Sequence, residues 1–210
     1  MWTLSEARER LGRRLAEEST AFWDATERNN AINEAQRFIS ALTRGYPQTI
    51  TGSVITATPY VSITGKLVAD YATSGQIDDG AALRAVPVNV ADVADPEWRT
   101  RTGTPRWIVI DAATSRVYVT PVPSVSTDIT VNVAVLPDDV TSDAEELFGG
   151  ATVMEQYQGA LLNVAASLCL LRERYDGDAE RFFQFAMQEL QALGVDPARI
   201  PKFGEVAQAA

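Results

Sequence analysis

The periodicity of this chain changes twice, and that change constrains its fold more than any other feature. Up to about Arg44, apolar residues recur at sevens, threes and fours. From Thr49 to Val135, β-branched residues sit at short spacing among Thr, Ser and Gly, and from Val153 the helical spacing returns. A helix lines one face every 3.6 residues and a strand every second residue, so one segment cannot serve both patterns. The order helix, strand, helix excludes an all-α or all-β molecule.

Thr3 stands three residues before Glu6, ahead of Leu4, Leu11 and Leu15, which predicts a capped helix over Thr3–Glu18. A second helix is predicted from about Ala21 to Arg44. Thr20 is its candidate cap, Ala25, Ile32, Ala35, Ile39 and Leu42 form its apolar face, and Gly45 and Pro47 stop it. Trp23 and Phe38 read as packing bulk.

Ile50, Val54, Ile55, Val61, Ile63, Leu67 and Val68 predict several short strands. Gly75–Gly80 reads as a turn, Ala85–Val90 as a further extended piece, and Asp92–Thr104 as a long loop placed to touch a neighbour. Arg106–Ile110 and Arg116–Thr120 predict a hairpin around Asp111–Ser115, leaving through Pro121-Val122-Pro123. Ile129, Val131, Val133 and Val135 alternate with polar or small residues, which predicts a strand over Asp128–Val135 with one buried face.

Asp138, Asp139, Asp143, Glu145 and Glu146 cluster ahead of a predicted helix, where carboxylates ordinarily complement the helix dipole. Their spacing matches no calcium loop, and no metal is expected there. Val153–Tyr175 is the strongest helix, and Ala160–Leu171 is apolar nearly all round, so it is covered on most sides. Gly177 breaks it, with Asp176 and Asp178 as cap candidates for a closing helix. That helix carries Ala179, Phe182, Phe183, Ala186, Leu190 and Leu193 and ends at Gly194. Phe185 falls off its apolar face and reads either as packing on an adjoining element or as contact with a second subunit. Val195–Ala210 contains Pro197 and Pro201 and cannot continue the helix. It reads as a frayed end or as an arm that orders on a partner, with Ile200, Pro201 and Phe203 as its contact residues.

Reactive chemistry is sparse. Histidine is absent, which removes the usual general base, triad partner and metal ligand. Cys169, the single cysteine, excludes an internal disulfide and reads as a small buried hydrophobe rather than a reactive thiol. No phosphate-cradling Gly-rich loop or nucleophile elbow occurs, and no acidic pair stands out from the others. No catalytic residue, cofactor or metal site is therefore expected. No apolar run reaches membrane-spanning length, and the N-terminus lacks a secretory pattern. The net charge is -10, and residues 136–210 carry 13 acidic against 5 basic side chains. That disfavours direct nucleic-acid binding, whose affinity comes from cations at phosphates. The surplus serves either solubility or a wall to which DNA does not adhere. Of the cations, 16 are Arg and 2 are Lys, which suits planar contacts to carboxylates between subunits or reflects coding bias.

Several segments together carry a resemblance. They are Ala31-Ile32-Asn33-Glu34-Ala35-Gln36-Arg37-Phe38, the Gly103-Thr104-Pro105-Arg106-Trp107 strand entry, and the Val117-Tyr118-Val119-Thr120-Pro121-Val122-Pro123 exit. Ile129-Thr130-Val131, Leu136-Pro137-Asp138-Asp139, Tyr157-Gln158-Gly159-Ala160-Leu161, Asp176-Gly177-Asp178-Ala179 and Phe182-Phe183 follow. The chain resembles the head-to-tail adaptor (connector) proteins of tailed bacteriophages and related gene transfer agents, over nearly its whole length.

The resemblance implies an α+β protein: a helical bundle formed by the N- and C-terminal helices, with an inserted antiparallel β domain. Its parts would be residues 1–48 and 138–194 for the bundle, 49–137 for the β domain and 195–210 for a C-terminal arm. It implies a homo-oligomeric ring, usually twelvefold, in the virion neck after assembly in the host cytoplasm. The ring would join the portal protein to a downstream neck or tail protein, with the arm gripping the portal and the genome passing through the lumen. Two other readings of the residues stand beside this one. One is a non-catalytic β-domain binding module for a glycan or protein partner, using exposed Tyr60, Tyr71, Trp98 and Trp107. The other is a carboxylate-based hydrolase.

Overall fold

The computed structural model describes residues 1–15, 23–44, 47–63, 67–77, 82–111, 113–173 and 175–207. The chain forms two compact units, Met1–Tyr46 with Pro137–Ala210, and Pro47–Leu136. Among the described residues the first unit holds five α-helices: α1 (Leu4–Arg14), α2 (Ala25–Thr43), α4 (Gln158–Arg172), α5 (Asp176–Ala192) and α6 (Phe203–Ala207). The second holds a short helix, α3 (Val88–Ala94), and seven strands: β1 (Pro47–Val54), β2 (Tyr60–Ser62), β3 (Leu67–Ile77), β4 (Ala82–Pro87), β5 (Trp107–Asp111), β6 (Arg116–Thr120) and β7 (Thr127–Val135).

The helical unit is built around α4. Every residue from Ala160 to Leu170 is buried, including Asn163 and Ser167. An apolar helix without a polar face is stable only when enclosed. The fully buried Leu4, Ala7 and Leu11 of α1 recur at helical spacing, as do Ala31, Ile32, Ala35 and Ile39 of α2 and Ala179, Phe183, Ala186 and Leu190 of α5. All belong to one core cluster with α4. Phe38 meets Phe183 edge-on at 6.1 Å between ring centres, linking α2 to α5. Each buried Leu, Ile or Phe among them contributes about 1.5–3 kcal/mol by leaving water, and each Ala less.

The capping box of α1 is present, with Thr3 and Glu6 exchanging bonds with each other's backbone N–H. α2 begins at Ala25, later than the expected Ala21, because Asp24 and Glu27 form its capping box. Thr20 and Gly45, the expected cap and stop, lie outside the described residues; Arg44 closes α2 in the left-handed conformation. The expected helix over Val153–Tyr175 starts as a 3-10 turn over Thr152–Tyr157 and becomes α-helical only at Gln158. Gly177 does not separate two capped helices: α5 starts at Asp176, with no side-chain cap bond at Tyr175.

The strands form one sheet in the order β1-β7-β3-β4-β5-β6-β2. The edge strands approach each other, for a Cβ on Gly52 of β1 would lie 2.8 Å from the Val61 side chain of β2. The sheet is therefore a nearly closed barrel. This corrects the architecture that the resemblance implied, a helical bundle with an inserted antiparallel β domain. The sheet is mixed, because β4 and β5 run parallel, and α3 lies among the strands. Parallel neighbours need a crossover connection, and α3 with the segment after it supplies one. The expected extended piece over Ala85–Val90 accordingly ends at Pro87, and Val88 begins a helix. β3 likewise runs through Gly75 to Ile77, where a turn was expected. A Cβ on Gly75 would come 2.8 Å from Ile108 Cδ1, so a larger residue there would have to displace the end of that buried side chain.

β5 and β6 are buried on both faces. Ala91 of α3 and Trp98 pack on Val109 and Tyr118, covering the side of these strands that an open sheet would leave wet. The Asp92–Thr104 excursion is thus fastened down. Trp98 is fully buried, donates its indole N–H to Asp92 at 2.7 Å, and meets Tyr118 edge-on at 5.3 Å. Thr120 Oγ1 donates to the Trp98 carbonyl at 2.9 Å.

Candidate interaction surfaces

The C-terminal segment is placed residue by residue. α5 ends at Ala192 with Leu193 as its cap, and Gly194 turns the chain with φ 90°. The Val195 N–H then donates to the Leu190 carbonyl at 3.0 Å, and Val195 is buried. Asp196 caps a short 3-10 turn over Pro197–Arg199, and the Arg199 guanidinium donates to the Ala41 carbonyl of α2 at 2.9 Å. Ile200, Pro201 and Phe203 are half-buried, and Ile200 and Phe203 pack on the main core cluster. The Phe203 ring lies 5.7 Å from that of Phe183. A groove of about 420 Å³ runs between this segment and α5, lined by Phe183, Met187, Ile200, Pro201 and Phe203.

Three of the carboxylates ahead of the third long helix are engaged individually. Asp139 pairs with Arg37, and Asp143 pairs with Arg8 at 2.9 Å. Glu145 accepts from the Thr141 and Ser142 backbone N–H groups. Among the described residues no group of three His, Cys, Asp or Glu is arranged to hold a metal ion, and no helix is long and apolar enough to cross a membrane. These carboxylates do not complement an α-helix dipole as expected, since a 3-10 turn follows them. Cys169 is buried in α4.

Asn33 and Gln36 hold the same segment from the other side. Asn33 Nδ2 donates to the Val140 carbonyl at 3.1 Å, and its Oδ1 accepts from the Val140 N–H at 2.9 Å. Gln36 Nε2 donates to Asn33 Oδ1 at 2.9 Å, and the Phe148 N–H donates to Gln36 Oε1 at 2.6 Å. All four residues are buried. The Ala31–Phe38 segment that carried the resemblance therefore supplies both side chains of this clasp, and Asp139, next to Val140, pairs with Arg37 beside it.

Of the four aromatics of the binding-module reading, the three whose side chains are described do not form an exposed platform. Trp98 is fully buried, and Tyr60 is half-buried under the Arg116 guanidinium, 4.1 Å from its ring centre. The Tyr71 side chain lies outside the described residues. Trp107 alone borders a cleft, of about 300 Å³, with Asp95, Arg101, Arg106 and Thr120. Arg101 pairs with Asp95 at 2.9 Å. Arg84 stands opposite Trp107 in the parallel β4–β5 register. Neither Arg84 nor Arg106 forms an ion pair among the described residues, and both are exposed. This cluster escaped the sequence reading because 8 acidic residues offset the 6 basic ones between residues 51 and 135. Its signal was the run of Arg99, Arg101 and Arg106 around Trp107.

No curated protein matches the chain. A family model described as SU10 adaptor protein matches residues 2–201, nearly the whole length. The chain belongs to the SU10 adaptor protein family, and with it to the structural adaptor proteins of phages.

Proposed function

We propose that copies of this chain form a ring in the virion neck that joins the portal protein to the next neck or tail component and passes the DNA genome. The family match over residues 2–201 carries this reading. The role is structural and non-enzymatic, as the family implies. The helical unit's residues, 1–46 and 137–210, hold 20 acidic and 12 basic side chains, a surplus that repels duplex phosphates and favours a conduit over a binding site. Closed rings need two different surfaces that meet head-to-tail.

In this proposal Ile200, Pro201 and Phe203 are the portal contacts. In the free chain they rest on α5 and must leave it to engage. Twelve subunits are the expected stoichiometry, and assembly takes place in the host cytoplasm. Electron microscopy of the purified chain, alone and mixed with portal rings, tests the reading. A ring that stacks on the portal is the expected result, and isolated monomers in both samples would overturn it.

A further inference from the structure

The Trp107 cleft has no role in the reading above, and its charge runs against that of the chain. Arg101 and Arg106 line the cleft with Trp107, Arg84 stands opposite Trp107 in the β4–β5 register, and Asp95 is the one carboxylate among the described lining residues. Arg101 is held by Asp95, leaving Arg84 and Arg106 without an ion pair among the described residues. A half-buried indole beside two unpaired guanidinium groups suits a partner that presents an aromatic ring flanked by carboxylates, since guanidinium takes carboxylate in planar pairs and stacks on aromatic faces.

The chain itself presents such a group. At the corner between α4 and α5, Tyr175 is 51% exposed. Glu173, Asp176, Asp178 and Glu180 around it are all exposed and form no ion pair among the described residues. Residues 173–180 contain four carboxylates and one arginine. The corner is held in place by the Tyr175 N–H, which donates to the Leu170 carbonyl at 3.0 Å. Burying unpaired charge of one sign is costly, and meeting the opposite sign relieves it.

We infer that the Trp107 cleft of one copy receives the Tyr175 acidic corner of a second copy, as the repeating contact of the assembly. The inference rests on the ring reading and names its interface. Cleft and corner are different surfaces, so the contact is heterologous and propagates from copy to copy until the ring closes. Formed by exposed charges, it weakens as salt rises.

Sedimentation velocity of the full chain over a concentration series, at low and high salt, tests this with Arg84→Glu/Arg106→Glu and Asp176→Arg/Asp178→Arg. The expected result is salt-sensitive, concentration-dependent assembly of the wild type. Each double variant should weaken assembly at least about tenfold, and the quadruple charge swap should restore it. A native melting profile for each variant controls for folding, and Arg106→Gln, a milder change at an exposed site, serves if the double variant does not fold. Wild-type rings that ignore both salt and these substitutions would overturn the inference while leaving the ring reading intact. A wild type that stays monomeric at every concentration would overturn both.

Discussion

Replacing Asn33 by Ala removes both bonds to Val140 and the acceptor used by Gln36. Val140 is 3% exposed, so its N–H and carbonyl find no water in exchange. A buried backbone group left unsatisfied costs about 1–3 kcal/mol. Two of them, less at most about 0.7 kcal/mol for the better helix propensity of Ala, leave a net loss of about 1–5 kcal/mol. In a chain of this length that lowers Tm by roughly 3–12 °C. Asn33→Asp separates the two bonds. Its carboxylate still accepts from the Val140 N–H but faces the Val140 carbonyl without a proton to donate. Burial and that carbonyl raise its pKa in the fold above the unfolded value. The variant is therefore most stable when protonated and loses stability as pH rises past the ordinary carboxylate range. Gln36→Ala orphans the buried Phe148 N–H and costs about 1–3 kcal/mol. The double variant loses less than the sum, because the Asn33–Gln36 bond is counted in each single change. Thermal and urea unfolding followed by circular dichroism measure all four quantities. An Asn33→Ala protein that melts within about 1 °C of wild type would refute the clasp.

Three further outcomes follow from the same geometry. Leu168→Asp places an unpaired charge on a helix enclosed all round, where Leu168 is 4% exposed, and the lost side chain alone costs about 2–5 kcal/mol; the variant is expected to lack a cooperative melt, and a native-like one means α4 is not enclosed. The Trp98 indole N–H, and after it Arg99, hold the Asp92 carboxyl below its ordinary value of 3.8. Its contribution is thus present above that value and lost as pH falls through the lowered one, so Asp92→Asn should flatten the acid limb of a stability titration, and an unchanged limb counts against the contact. Phe203→Ala removes the ring packed on Phe183; it should leave the cooperative melt in place and reduce co-sedimentation with portal rings, and undiminished co-sedimentation excludes Phe203 as a portal contact.

What could be read from the residues and what could not divides along sequence separation. Thr3 and Glu6 announce their cap because both partners lie within one turn, and the β5–β6 hairpin is legible because its strands flank a short turn. The enclosure of α4 is legible because no face of it is polar. Asp24 and Glu27 carried the same local signal as Thr3 and Glu6, but the helix was expected to begin earlier. α3 was misread because Val88 and Val90 favour strands by propensity, whereas the parallel pairing of β4 with β5 requires the chain to turn back there. That requirement arises from β5, about twenty residues later. The acidic run at Asp138–Glu146 looked like a dipole feature because its cations, Arg8 and Arg37, come from the start of the chain. Asn33 and Val140 are 107 residues apart and Arg37 and Asp139 are 102, so periodicity carries no trace of either pair. The family resemblance carried one of them, since Arg37 lies in the Ala31–Phe38 segment and Asp139 in the Leu136–Asp139 segment that suggested it. Local pattern thus specifies which elements form, while these distant polar pairs specify how the helical unit closes on itself. Substitutions in the clasp should therefore disturb its closure before they disturb its helices.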